Sequence, residues 1–463
     1  MLAAALIASG AAAVWLSATL AVSGVRAKQQ TSSPAAACGP PHYCARTDRK
    51  AIPYPEGLPA LPAADARAAD PVLGSRILRV TDSSLAPRGL SMMTPASAEQ
   101  NAWNTSTTAF YVDDEGGGYN VFSFDPSTMR AKPDGGRLTG WSGEPEFSYT
   151  QPDVLYAIAS RSRMLQQYDI AKHKLGTIDD PSKCVQLAPS DHGGDISVSA
   201  DDTRLLAIFG PEQDRNNLVY TYDRKQGCRW YNTETGAVGG QWGPKGTINA
   251  PYRFGIHNAR ISKSGGFVVI TPGTHVGGAA IWEVATANVT LCANAALKCG
   301  GHRALGYSHL LNSADSKHPL DFVIRPLDHL ESMTHILEPL PTQPTAANWY
   351  DYHLSWNYIN PQDSTPACFS TYRSDNPAGQ GLPPRVLGPW ENEVDCVETD
   401  GRASTIWRFA HTYSTATNGF WSTPRGNISQ DGRFYMFTSD WEDELGRDVQ
   451  GHHRTDVFMV QLR

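Results

Sequence analysis

The sequence predicts an all-β fold, a seven-bladed β-propeller closed by an N-terminal strand. Three observations predict it. A unit of strand, polar turn and β-branched or aromatic strand recurs seven times. No amphipathic stretch of useful length lies between the strands, as a two-domain α/β chain would require. One strand-like run, "SRILRVTD" (residues 75–82), stands alone before the first copy.

The copies are "NAWNTSTTAFYVDD" (101–114), "PEFSYTQPDVLYAIAS" (145–160), "DISVSADDTRLLAIFG" (195–210) and "ARISKSGGFVVITPG" (259–273). They continue with "SHLLNSADSKHPLDFVIRP" (308–326), "HLSWNYINPQDSTPACFSTY" (353–372) and "GNISQDGRFYMFTSDW" (426–441). Most are followed by two further strands, as in "NVFSFDPSTMRA" (120–131) and "AAIWEVATANVTLC" (279–292). Copies spaced about 45 to 65 residues apart, each making roughly four strands, are propeller blades. A single blade cannot bury both faces, so the ring must close. The lone strand at 75–82 is expected to complete the blade whose other strands end the chain at "TDVFMVQL".

Composition agrees with many short strands joined by turns: 41 Gly, 32 Pro and 12 Trp, with only 18% charged residues. Net charge is −7, from 39 Lys+Arg against 46 Asp+Glu, and no basic stripe appears. Nucleic acid is therefore excluded as a partner, because phosphate neutralisation needs clustered Lys and Arg. Residues 2–24 are apolar and uncharged, and "VRA" ending at Ala27 fits a small-residue cleavage site. Residues 1–27 are read as a signal peptide rather than a retained anchor, which predicts a secreted or periplasmic protein. Residues 28–74 form a Pro/Ala-rich arm and residues 75–463 the propeller; a monomer with no other membrane segment is expected.

All eight cysteines follow Ala27, and none has the doubled C-x2-C spacing of a zinc ribbon. Pairing of sequence neighbours gives Cys38–Cys44, Cys184–Cys228, Cys292–Cys299 and Cys368–Cys396. An oxidising compartment would make these disulfides.

"ISQDGRFYMFTS" and "SADDTRLLAIF" resemble the TolB-type propeller repeat, marked by a Ser-x-Asp-Gly turn between two strands. The turn is complete only in the seventh copy. The fourth has Ser-Gly-Gly there, and the fifth and sixth carry insertions. The resemblance implies the fold and leaves the chemistry open.

Residues just before each blade's innermost strand line one mouth of the central channel. That position reads Gln100, Glu144, His192, His257, His309, His353 and Arg425. Four consecutive blades offer histidine, which suggests that His192, His257, His309 and His353 hold a divalent metal ion such as Mn, Zn or Ca. Asn258, Asn357 and Asn427 would orient the ligands. His411 is placed near the same face, while His275, His302, His318, His329 and His335 are assigned to blade interiors or outer loops, and His452 and His453 to a polar loop. Gln100, Trp103, Tyr352, Trp356, Trp421 and Asn427 would bind substrate, the aromatics as a stacking surface for sugar rings.

Blade count, export and multi-blade histidines resemble the layout of oligogalacturonate lyases, and of ulvan lyases with their histidine, tyrosine and arginine in a similar groove. The close histidine pair of a blade start is missing here. The resemblance implies an exported polysaccharide lyase acting on acidic oligo- or polysaccharides by metal-assisted β-elimination. His192, His353, Arg425 and Glu144 would be catalytic, with Arg425 facing the uronate carboxylate. Two alternatives stay open. One is a non-catalytic propeller that binds protein or glycan. The other is a glycoside hydrolase using Glu144 or Glu146 with Asp191 or Asp195.

Overall fold

Each recurrent unit forms one antiparallel sheet, and seven sheets follow in chain order. The computed structural model describes residues 38–52, 57–212, 214–248, 253–273, 278–292, 299, 301–315, 318–337, 350–373, 389–401, 405–416 and 419–463. The expected signal peptide lies outside these residues, as does His275. Among the described residues, no helix is long and apolar enough to cross a membrane.

Blade 1 comprises Met92–Met93, Ala109–Asp114, Gly118–Asp125 and Arg130–Leu138; blade 2 comprises Trp141–Phe147, Val154–Ala159, Leu165–Asp169 and Lys174–Asp179. Blade 3 opens with His192–Val198 and carries two extra outer strands, Ala237–Gly240 and Gly246–Thr247. Blade 4 opens with Ile256–Ile261, blade 5 with Arg303–Leu305 and blade 6 with Tyr350–Ser355. In blade 7 the order from the channel outward is Gly426–Ile428, Phe434–Ser439, Asp456–Gln461, Arg76–Arg79 and Arg67–Ala69.

The N-terminal strand thus closes the ring as expected. It pairs Ile77 with Val460, Leu78 with Met459 and Arg79 with Phe458. The arm adds a fifth strand, Arg67–Ala69, and its Arg46 bridges to Arg408 on the outer strand of blade 6. Alternation along the strands sends one set of side chains into each gap between blades. Trp103, Phe110, Phe124 and Phe434, for example, interlock where blades 7 and 1 meet.

The Ser-x-Asp-Gly turn has a physical reason. Ser429 Oγ donates to Asp431 Oδ1 and accepts from the amides of Arg433 and Phe434, while Gly432 takes φ +73°. Blade 3 reproduces the same serine–aspartate bond with Ser199 and Asp201, and Asp202 takes the left-handed position. These turns end the innermost strands, so they lie at the face opposite the strand starts.

All four expected disulfides form. Cys368 and Cys396 face each other across two strands of blade 6, and Cys184–Cys228 fastens the connection after blade 2 to blade 3.

Candidate functional site

At the face where the innermost strands begin, a cavity of about 580 Å³ opens with walls from all seven blades. Backbone irregularities build it. Pairing slips between Ser142 and Glu146 in blade 2, between Gly193 and Ile196 in blade 3, and between Ile256 and Asn258 in blade 4. Each slip is a bulge that turns extra residues toward the mouth: Glu144, Asp195 and His257. Gly143 is required for this. It holds φ +65°, and a Cβ there would collide with the Gly194 carbonyl of the next blade.

His192, His257, His353, Glu144 and Trp421 line the cavity. His309 does not. The innermost strand of blade 5 is Arg303–Leu305, so His309 begins the second strand, in the turn at the opposite face. There its Nδ1 lies 2.8 Å from Asp363 Oδ2. The residue at the equivalent mouth position of blade 5 is His302, which lines the cavity with Arg303.

Several other expected site residues are buried or engaged in hydrogen bonds. Trp103, Tyr352 and Trp356 are buried, with the indole of Trp103 donating to the Asn427 carbonyl and that of Trp356 to the Thr365 carbonyl. Gln100 donates to the carbonyls of Pro145 and Ile196, and its own carbonyl accepts from Asn357 and Asn427. This knot ties blades 1, 2, 3, 6 and 7 inside the channel. Glu144 faces the mouth, but its carboxylate accepts from the amides of Ala96 and Ser97 and so holds the blade 1 loop. Arg425 is fully buried beneath Phe420 and Trp421, its guanidinium carbon 4.4 and 4.9 Å from their ring centres. Burial lowers its pKa to about 10. His411 ends the outer strand of blade 6 at the same face, beside Asp70 and outside the cavity lining. Asn258 lines the cavity and accepts from the Thr271 hydroxyl.

The floor carries groups that sequence reasoning passed over. Arg260 and Arg303 line the cavity and are nearly buried, 4% and 5% exposed. Arg260 donates from Nη1 to the Ile196 carbonyl, while its Nε and Nη2 have no hydrogen-bond partner; Arg303 Nη1 has none either. Burial opposes the charge on Arg260, but Asp195, Glu99, Glu146 and Glu144 hold its pKa above the ordinary value. Arg260 Nη2 also lies 4.0 Å from Asp195 Oδ1, in an ion pair.

Beside them stand two stacked imidazoles. The His302 and His353 rings lie 4.3 Å apart at 22°, and Tyr372 also stacks on His353. His353 Nε2 is 3.2 Å from the Tyr372 hydroxyl, and His302 Nδ1 is 3.3 Å from Asp351 Oδ1 and also meets the Tyr352 carbonyl. Burial, then His302 and Arg425, push the His353 pKa well below the ordinary imidazole value. Burial works against His302 too, but Asp351 raises its pKa overall. The two pKa values are thereby pushed in opposite directions.

A divalent metal fits this mouth poorly. Among the described residues, no three His, Cys, Asp or Glu donors at the cavity lie within 4.8 Å of one another. His302 and His353 meet face to face rather than through converging nitrogens. The one such trio is Glu115, Asp448 and His452, and none of these lines the cavity.

Fold and site together define a seven-bladed propeller with a polar pocket at one channel mouth. The chain matches no protein-family model and no curated protein. Among solved structures it is similar to an oligogalacturonate lyase in complex with manganese, at 15% identity and TM-score 0.51, over 90% of this chain and 99% of that one. An oligogalacturonate lyase from Vibrio parahaemolyticus (11% identity, TM-score 0.49, 86% and 96% coverage) and TolB from Acinetobacter baumannii (14%, 0.31, 58% and 58%) are also similar. The first of these likenesses supports the fold.

Proposed function

We propose that the protein is an exported lyase that cleaves uronate-containing glycans by β-elimination in this pocket. The observation that carries the reading is the pair Arg260 and Arg303 in the cavity wall, with guanidinium nitrogens that lack hydrogen-bond partners, beside a histidine whose pKa is pushed down. The substrate carboxylate accepts hydrogen bonds from the two guanidinium groups, which stabilise the negative charge that develops when the adjacent carbon loses its proton. With Nε2–H donating to the Tyr372 hydroxyl, Nδ1 of His353 carries the lone pair that takes this proton. The electron pair forms the carbon–carbon double bond and the bond to the leaving glycosidic oxygen breaks. His302, protonated against Asp351, returns a proton to that oxygen. One proton is taken, one is given, and no water is consumed.

Phe420 and Trp421, 47% and 49% exposed at the rim, offer apolar faces to the sugar rings. Four disulfides support action in an oxidising compartment. Incubation with a panel of polyuronides, followed by the ultraviolet absorbance of the unsaturated uronate, tests the reading; no absorbance with any polyuronide would contradict it, and binding without absorbance would favour a non-catalytic glycan receptor.

The pH profile should be bell-shaped. His353 must be neutral, and its depressed pKa places the acid limb below the ordinary imidazole value of about 6.5. His302 must be protonated, and its raised pKa places the alkaline limb above that value. Turnover that keeps rising into alkaline solution would remove His302 as the acid.

A further inference from the structure

We propose that Glu115, Asp448 and His452 bind a divalent cation of the Zn²⁺ or Mn²⁺ type, clasping the last loop of blade 7 to blade 1. Glu115 opens the turn after Ala109–Asp114, while Asp448 and His452 lie in the loop between Phe434–Ser439 and Asp456–Gln461. One donor atom from each residue lies within 4.8 Å of the other two. His452 Nδ1 is 2.5 Å from Glu115 Oε1 and 3.8 Å from Asp448 Oδ2.

The trio is held in place before any ion arrives. The Asp448 side chain is buried; its Oδ1 accepts from the amides of Gln450 and His452 at 2.8 and 3.0 Å, and its Oδ2 from the Ser91 hydroxyl at 3.2 Å. The Glu115 carboxyl has one oxygen shielded from solvent and shares a hydrogen bond with Asp448. Among the described residues neither carboxylate pairs with lysine or arginine. Two carboxylates and a neutral imidazole match the charge of one divalent ion. An imidazole in the set favours Zn²⁺ or Mn²⁺ over Ca²⁺, which takes oxygen ligands. His452 is exposed, so water can complete the coordination from that side. The location gives the ion a task, since the two ends of the ring meet where Met92 N donates to the Thr455 carbonyl.

The test is metal content and thermal unfolding of the chelator-stripped full chain after adding Zn²⁺, Mn²⁺ or Ca²⁺. We expect one equivalent of Zn²⁺ or Mn²⁺ with unfolding raised by several degrees, and no rise with Ca²⁺. Glu115→Gln and the surface variant His452→Ala should each lose that equivalent and the rise, while His353→Gln keeps both. Absence of bound metal, an equivalent retained by His452→Ala, an equal rise with Ca²⁺, or loss in His353→Gln alone would overturn the proposal. None of these outcomes depends on the proposed reaction, because each is read without substrate.

Discussion

Deleting residues 75–82 is expected to leave the chain unfolded. The segment brings Ile77, Leu78 and Val80, each no more than 1% exposed, into the blade 7 core. At about 1.5–3 kcal/mol per buried aliphatic side chain, their loss costs roughly 5–9 kcal/mol. It also removes the ladder to Asp456–Gln461 and takes Arg79 from the buried Asp456, which then keeps Arg454 alone. The sum approaches the whole stability of a typical domain, about 5–15 kcal/mol. The strand left behind would present an apolar, unpaired edge, so aggregation should accompany unfolding. Circular dichroism and thermal unfolding check this; a truncated chain with an unchanged transition would refute closure by this strand.

Replacing His353 by glutamine should lower turnover by about 10²–10⁴-fold, the usual worth of a positioned base. Substrate affinity should be retained, because Arg260 and Arg303 are untouched. Glutamine can keep a hydrogen bond to Tyr372, so the stack beside His302 loses its base more than its packing. Calorimetric binding of an oligouronide beside kinetic assay separates the two effects. Equal loss of binding and turnover would mean that His353 positions substrate and is not the base.

Much of the architecture was legible because period-two alternation and turn chemistry act locally. Seven units, closure by "SRILRVTD" and the four cysteine pairs follow from the strands and their spacing. The mouth was legible only in part. Arg303–Leu305 is three residues long and lacks a β-branched run, so the fifth unit reads one strand late. That slip carries His309 to the wrong face and hides His302. Trp103, Tyr352 and Trp356 neighbour the mouth in sequence, but their burial places them in the core. Arg260 stands in the fourth unit within three residues of His257, yet a strand arginine reads as a solvent-facing residue. Only the closed ring shows that its side chain faces the channel. The bulges that aim Glu144, Asp195 and His257 leave no motif beyond scattered glycines.

The most direct test of the central claim is mass analysis of the products formed from a polyuronide in heavy-oxygen water. Elimination consumes no water, so the account predicts one fragment that ends in an unsaturated uronate and is lighter by one water than its hydrolysis counterpart, whatever label the free anomeric oxygens exchange from solvent. It also predicts no product from the same glycan after its carboxylates are reduced, because Arg260 and Arg303 then have no anion to hold. Saturated fragments alone would contradict the account in favour of hydrolysis, and an intact polyuronide would contradict it in favour of binding alone.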